Sequence, residues 1–254
     1  MKTKGVVVMF VEYGKLSTKL YEMTKPVGFS IDGDLEYYYD KLKNCSGTIL
    51  EAGVGTGRMM IPFLQKGLAI EGVDLSKEML EQCEINMAKA DVTGILYQED
   101  LTKLNLNKQY EAIMMPTGSF CLLPREIIQD VLVSFFKHLK ESGQLLIDIE
   151  LPMWFKSDEI SVANYPLSED EGLLFTSTAK EIDWQEQKVS YIHRYEFVEK
   201  GIVKETELSH FTLYWYGIKE FEEMLLKTGF SEISYEIGYG KNPQASLITF
   251  CAKK

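Results

Sequence analysis

The chain lacks the signatures of several function classes. Its four cysteines, Cys45, Cys83, Cys121 and Cys251, lie far apart, and no Cys-x-x-Cys or His-Glu-x-x-His spacing occurs. No metal is therefore expected, and the thiols read as reduced and mostly buried in a cytoplasmic protein. Positive charge is scarce: 27 Lys and Arg against 38 Asp and Glu leave a net charge of -11. A nucleic-acid partner is not expected from that balance, because binding a phosphate backbone needs a basic face. No apolar run is long enough to span a bilayer, so no membrane partner is expected either. The run at 5–11 follows Lys2 and Lys4 like a leader, but Glu12 interrupts it and no small-x-small cleavage site follows, so it reads as a strand. Ser119 sits in no Gly-x-Ser-x-Gly elbow, which leaves a hydrolase nucleophile unsupported.

Glycine is concentrated where it carries information. In Thr48-Ile-Leu-Glu51-Ala-Gly53-Val-Gly55-Thr-Gly57-Arg58, a short buried strand runs into a turn where a ligand can approach the backbone, and a helix leaves from Arg58. Ile70-Glu-Gly-Val-Asp74 then reads as a second strand delivering an acid at its carboxyl end. This is the first βαβ unit of a doubly wound sheet, which binds ligands beyond the carboxyl ends of its strands. A dinucleotide fingerprint requires Gly-x-Gly-x-x-Gly; counted from Gly53, its last position is Arg58, so a nicotinamide oxidoreductase fails on the spacing.

The Gly53-x-Gly55-x-Gly57 turn, with Glu51 before it and Asp74 after the next strand, resembles the glycine-rich motif of class I S-adenosylmethionine-dependent methyltransferases. The resemblance implies S-adenosylmethionine as cofactor, with the loop under its methionyl part and Asp74 on the ribose hydroxyls. The chemistry agrees: the cofactor carries a sulfonium and an ammonium but no phosphate, so it calls for close backbone approach and carboxylates. Asp74-Leu75-Ser-x-x-Met79 follows the family pattern, with Met79 or its neighbour against the adenine. Asp100, followed by Leu101, matches the residue that accepts from the adenine amino group. Asp34-Leu-Glu-Tyr-Tyr38 resembles the Asp-x-Glu-aromatic-Tyr segment that helps cover the cofactor in a small-molecule group of the family, and Pro116-Thr117 begins the loop that faces the transferred methyl. The Asn/Asp-Pro-Pro-Tyr/Phe sequence of enzymes that methylate the adenine amine or the glutamine amide is missing from that loop. Leu122 and Leu123 stand where related small-molecule enzymes often carry a His.

The implied architecture is a Rossmann-like, doubly wound, seven-stranded α/β sheet with an inserted antiparallel β meander. Residues 1–45 read as an N-terminal helical cap, 46–151 and 215–254 as the core, and 152–214 as the insertion. Three β-rich segments at 173–182, 189–198 and 202–215 form that insertion, a substrate lid or a homodimer contact. Strict alternation groups Tyr191, His193, Tyr195 and Phe197 on one strand face and Leu208, His210, Thr212 and Tyr214 on one face of the next. His210 is the expected catalytic base or acceptor-orienting group. The expected function is direct methyl transfer to a small-molecule acceptor. The alternatives are a protein that binds the cofactor without methyl transfer, and a protein or RNA acceptor.

Overall fold

In the computed structural model seven strands build the sheet that the glycine turn announces, and five helices cover it. The structure describes residues 13–254; the strand expected at 5–11 lies outside the described residues. Four parallel strands come first: β1 (Ile49–Ala52), β2 (Ile70–Asp74), β3 (Leu96–Gln98) and β4 (Tyr110–Met115). β5 (Leu139–Glu150) joins β4 in parallel, and β11 (Leu247–Lys253) adds antiparallel to it, paired in turn with β10 (Ser231–Ile237). The order across the sheet is β10-β11-β5-β4-β1-β2-β3. The chain therefore reverses direction of build-up between β1 and β4, and the carboxyl ends there form a crevice.

The strands are short apolar runs because both faces are covered. β1 is buried at all four positions. On one face α5 (Ile128–His138) and α6 (Ile218–Thr228) contribute Val131, Phe135, Phe221 and Leu225 to the core; on the other, α2 (Asp34–Leu42), α3 (Met60–Gln65) and α4 (Lys77–Lys89) contribute Tyr38, Phe63 and Cys83. Gly229 closes α6 in a left-handed conformation at φ 113, the conformation that glycine adopts at a helix end without a Cβ clash.

α5 stops at His138, and Glu141-Ser142-Gly143 form an irregularity inside β5, where the register to β4 shifts between Tyr110 and Ala112. One expectation changes in detail. The meander has four strands rather than three: β6 (Ile160–Pro166), β7 (Glu171–Asp183), β8 (Lys188–Glu199) and β9 (Ile202–Tyr214). β6 is the edge strand, mostly exposed and ending in Pro166, so it lacks the alternation that marks a half-buried strand.

The odd-numbered residues of β8 and β9 face inward. There α1 (Lys15–Thr24) lays Leu16 and Leu20 against Leu173, Phe175, Tyr195 and Phe197. Glu207 on β9 fixes the start of that helix, accepting from the amides of Leu16 at 2.8 Å and Ser17 at 3.2 Å. A carboxylate there satisfies otherwise orphaned donors and complements the helix dipole. Among the described residues no helix is long and apolar enough to cross a membrane.

Candidate cofactor site

The strand β1 delivers the glycine turn to the crevice, and backbone geometry explains its composition. Gly53, Gly55 and Gly57 have φ of 72, 56 and 83 degrees, a region that costs an L side chain roughly 1–2 kcal/mol. Their surroundings differ. A Cβ at Gly57 would meet Cys83 Sγ at 2.7 Å, so this glycine allows close packing against α4. A Cβ at Gly55 would meet nothing within 4 Å, because it would project into open space.

That space is a cavity of about 580 Å³ lined by Gly53, Gly55, Asp74, Leu75, Met79, Asp100 and Leu101, and continuing past Met115, Ser119, Leu122 and Ile127 to Tyr13 and Tyr21. Asp74 anchors its near wall: one oxygen accepts from Gly55 N at 2.9 Å and the other from Ser76 N at 2.9 Å. Burial pushes its carboxyl above the usual range, and these backbone amides oppose the shift. Ser76 caps α4 by accepting from Met79 N, which holds Met79 against the cavity. Asp100 accepts from Thr102 N at 2.9 Å, and that bond holds its carboxyl below the usual range.

Behind the glycine turn lies a buried charged cluster. Arg58 pairs with Asp34 at 2.5 Å, both almost fully buried, and its guanidinium also donates to Phe29 O at 2.6 Å. Glu51 is also buried; among the described residues its Oε2 has no hydrogen-bond partner, nor has Arg58 Nε. Burial, the largest cause, pushes the Glu51 carboxyl up to about 8 against the opposing pull of Arg58.

The expected site residues therefore divide. Gly53, Gly55, Asp74, Leu75, Met79, Asp100 and Leu101 come together around the cavity. Gly57 and Glu51 are not among its lining residues; both belong to the glycine turn and the strand that leads into it. Tyr38, Pro116 and Thr117 are not among the lining residues: Tyr38 is fully buried and donates to Asp148 at 2.8 Å, and the Thr117 amide donates to the same carboxylate at 2.6 Å. Asp148 also accepts from Thr249 at 2.6 Å and Tyr239 at 2.8 Å, so it ties α2, β11 and the loop after β4 into one unit.

His210 is placed otherwise than expected. It is exposed and pairs with Ile192, on the face of β9 opposite Phe211. The sheet registers Tyr191 with Phe211 and His193 with Ser209, so the two aromatic sets lie on opposite faces. Alternation says which residues share a face, not which face turns inward. A base role for His210 does not carry forward. His193 takes the inward position, stacked on Phe211 at 4.7 Å between centroids, and burial lowers its pKa to about 4. Tyr21 and Ser119 also reach the cavity unannounced, since nothing in their local sequence marks them.

The methyltransferase domain profile matches residues 49–143, the stretch from β1 through the irregularity in β5. The chain resembles the class I S-adenosylmethionine-dependent methyltransferases in its glycine motif and in its fold. The chain is 25% identical over 219 residues to a putative methyltransferase of a Geobacillus species, covering 81% of this chain and 84% of the relative. Its fold is that of a sugar N-methyltransferase from Streptoalloteichus, with a TM-score of 0.78 at 17% identity over 100% of this chain and 98% of that one. A S-adenosylmethionine-dependent methyltransferase from Clostridium acetobutylicum shares the fold with a TM-score of 0.74 at 18% identity, over 92% and 96% of the two chains. The glycine turn's resemblance to that family implies S-adenosylmethionine as cofactor. The residues present fit that group: open space above Gly55, a carboxylate at the end of β2, and unsatisfied buried atoms on an acid and a guanidinium beside the glycine turn suit a ligand with an ammonium and a carboxylate at one end.

Proposed function

We propose that the enzyme methylates a nitrogen of a small-molecule acceptor, and that Asp74, Glu51, Arg58, Asp100 and Met79 hold the cofactor for that transfer. The observation that carries this reading is the single cavity of about 580 Å³ that runs from Asp74 and Asp100 to Met115, Ser119 and Tyr21. Its size is that of small-molecule sites, about 300–1,000 Å³, and α1 contributes Tyr21 to its cover. The resemblance to a sugar N-methyltransferase supports nitrogen as the acceptor atom, and the acidic balance of the chain speaks against RNA.

Bound there, S-adenosylmethionine supplies an electrophilic methyl on a sulfonium that leaves as a neutral thioether. The protein's own tasks are to orient and to exclude water. Asp74 accepts from the ribose hydroxyls, Asp100 from the adenine amine, and Met79 lies against the ring. Glu51 and Arg58 receive the ammonium and carboxylate of the methionyl end. Leu122, Leu123 and Ile127 supply an apolar wall that keeps water out. A neutral amine acceptor needs no base, which agrees with a wall that carries no histidine. The residue ranges 46–151 and 215–254 act as the core in this reading, with 1–45 and 152–214 covering it. Four free thiols support a cytoplasmic setting.

Calorimetry with S-adenosylmethionine, S-adenosylhomocysteine and NAD tests the cofactor site: binding of the first two and none of NAD is expected. Turnover on a panel of amines, alcohols and RNA then tests the acceptor. Methylation confined to RNA or to alcohols refutes the proposal.

A further inference from the structure

β5 ends in Glu150, whose side chain is exposed although the strand before it is buried. Its Oε1 accepts from Ser246 at 3.0 Å, whereas its Oε2 accepts no hydrogen bond among the described residues. A Cβ at Gly118, in the loop after β4, would lie at an ordinary contact distance of 3.6 Å from that Oε2, so the carboxylate stands against this loop. The next residue of the loop, Ser119, lines the cofactor cavity. Glu150 thus stands on the far side of the same loop.

A second cavity of about 150 Å³ opens beside it, walled by Glu150, Trp154, Phe155, Tyr191, Leu213 and Trp215 among others. Phe155 packs edge-on to Tyr191 with ring centroids 5.5 Å apart, which gives the wall a fixed shape. Glu150 is the one acid among its lining residues. The electrostatics agree with this placement: Glu150 is among the charges that raise the Tyr191 pKa, after burial. A cavity of about 150 Å³ holds one six-membered ring. A carboxylate set in aromatic walls attracts a cation twice, through its own charge and through the ring faces.

We infer that this cavity is an acceptor subsite for a positively charged ring, an amine-bearing sugar or similar cyclic amine, with Glu150 holding the ammonium and Tyr191, Phe155 and Trp154 enclosing the ring. It rests on the methyltransferase reading given above. The subsite anchors and selects: the ammonium held by Glu150 has no lone pair to attack a methyl, so the nitrogen that is methylated is a different one, and no bond is made or broken in the subsite. Glu150 touches the loop after β4 at Gly118, one residue before Ser119 of the cofactor cavity.

The test uses the full chain saturated with S-adenosylhomocysteine and titrated below neutral pH, with tryptophan fluorescence and calorimetry as readouts. Glucosamine is the cationic probe, N-acetylglucosamine the neutral one and glucuronate the anionic one. Glucosamine is expected to bind at least about tenfold more tightly than either of the others, and Glu150→Gln to remove that preference. Trp154→Ala is expected to weaken all three probes alike. Glucosamine binding that is absent, or equal to that of N-acetylglucosamine, or unchanged in Glu150→Gln, overturns the subsite. Binding of S-adenosylhomocysteine by each variant reports folding separately. A chain that binds no S-adenosylhomocysteine refutes the cofactor reading instead, so the two failures are distinct.

Discussion

Glu51→Gln isolates the buried carboxyl beside the glycine turn. Burial raises its pKa from 4.5 to about 8 in the folded protein, while in the unfolded chain it ionises near the ordinary value. Between those two values the unfolded state releases a proton that the folded state keeps. A group with a raised folded pKa contributes stability that is fully present below the unfolded pKa and is lost as pH rises through the folded one. The loss runs at about 1.4 kcal/mol per pH unit. Glutamine mimics the neutral acid and has no proton to release. The stability of Glu51→Gln relative to the natural chain should therefore rise by about 2 kcal/mol between about pH 6 and pH 7.5. Urea denaturation at both pH values measures this difference directly, without knowledge of the acceptor. The same carboxyl should ionise when a cofactor ammonium arrives, so S-adenosylmethionine binding near neutral pH should release close to one proton, and less in the variant. Calorimetry in two buffers of different ionisation enthalpy reads that number. A stability difference that stays flat across the pH range would refute the reasoning and mean that Arg58 keeps Glu51 ionised.

Asp74→Ala should weaken S-adenosylmethionine binding by about one to two decades, the cost of losing charge-assisted hydrogen bonds, with the circular dichroism spectrum unchanged; calorimetry decides it. Gly55→Val should abolish cofactor binding, because its φ of 56 degrees strains an L residue and its side chain would project into the cavity; equilibrium dialysis with labelled cofactor would expose a failure. Asp34→Ala leaves Arg58 buried without its ion-pair partner, and should cost about 3–5 kcal/mol in urea denaturation. Glu81→Ala, which breaks the exposed pair with Lys77, should cost under about 0.5 kcal/mol in the same assay. Equal losses from the two would contradict the burial argument.

The readable part of this protein is the part whose geometry is local. Gly53, Gly55, Asp74 and Met79 belong to one strand-turn-helix-strand-helix run, so a spacing of a few residues determines which backbone positions need glycine and which acid ends a strand. Asp100 is legible for the same reason, as the acid that follows the third strand and caps the next turn. The parallel part of the sheet follows from the alternation of apolar runs and helices, and its antiparallel end pair from the resemblance to the family. What the sequence leaves undecided depends on register between distant segments. Tyr38 carries a recognisable motif, yet its hydroxyl goes to Asp148, 110 residues away, rather than into the cavity. The meander's alternation groups His210 with its neighbours correctly, but pairing with β8 and the packing of α1 put the other face inward. Glu150 and Tyr191 share a cavity although their strands, β5 and β8, belong to different sheets. A period of two defines both faces of a strand equally well, and only the partner that buries one of them breaks the tie.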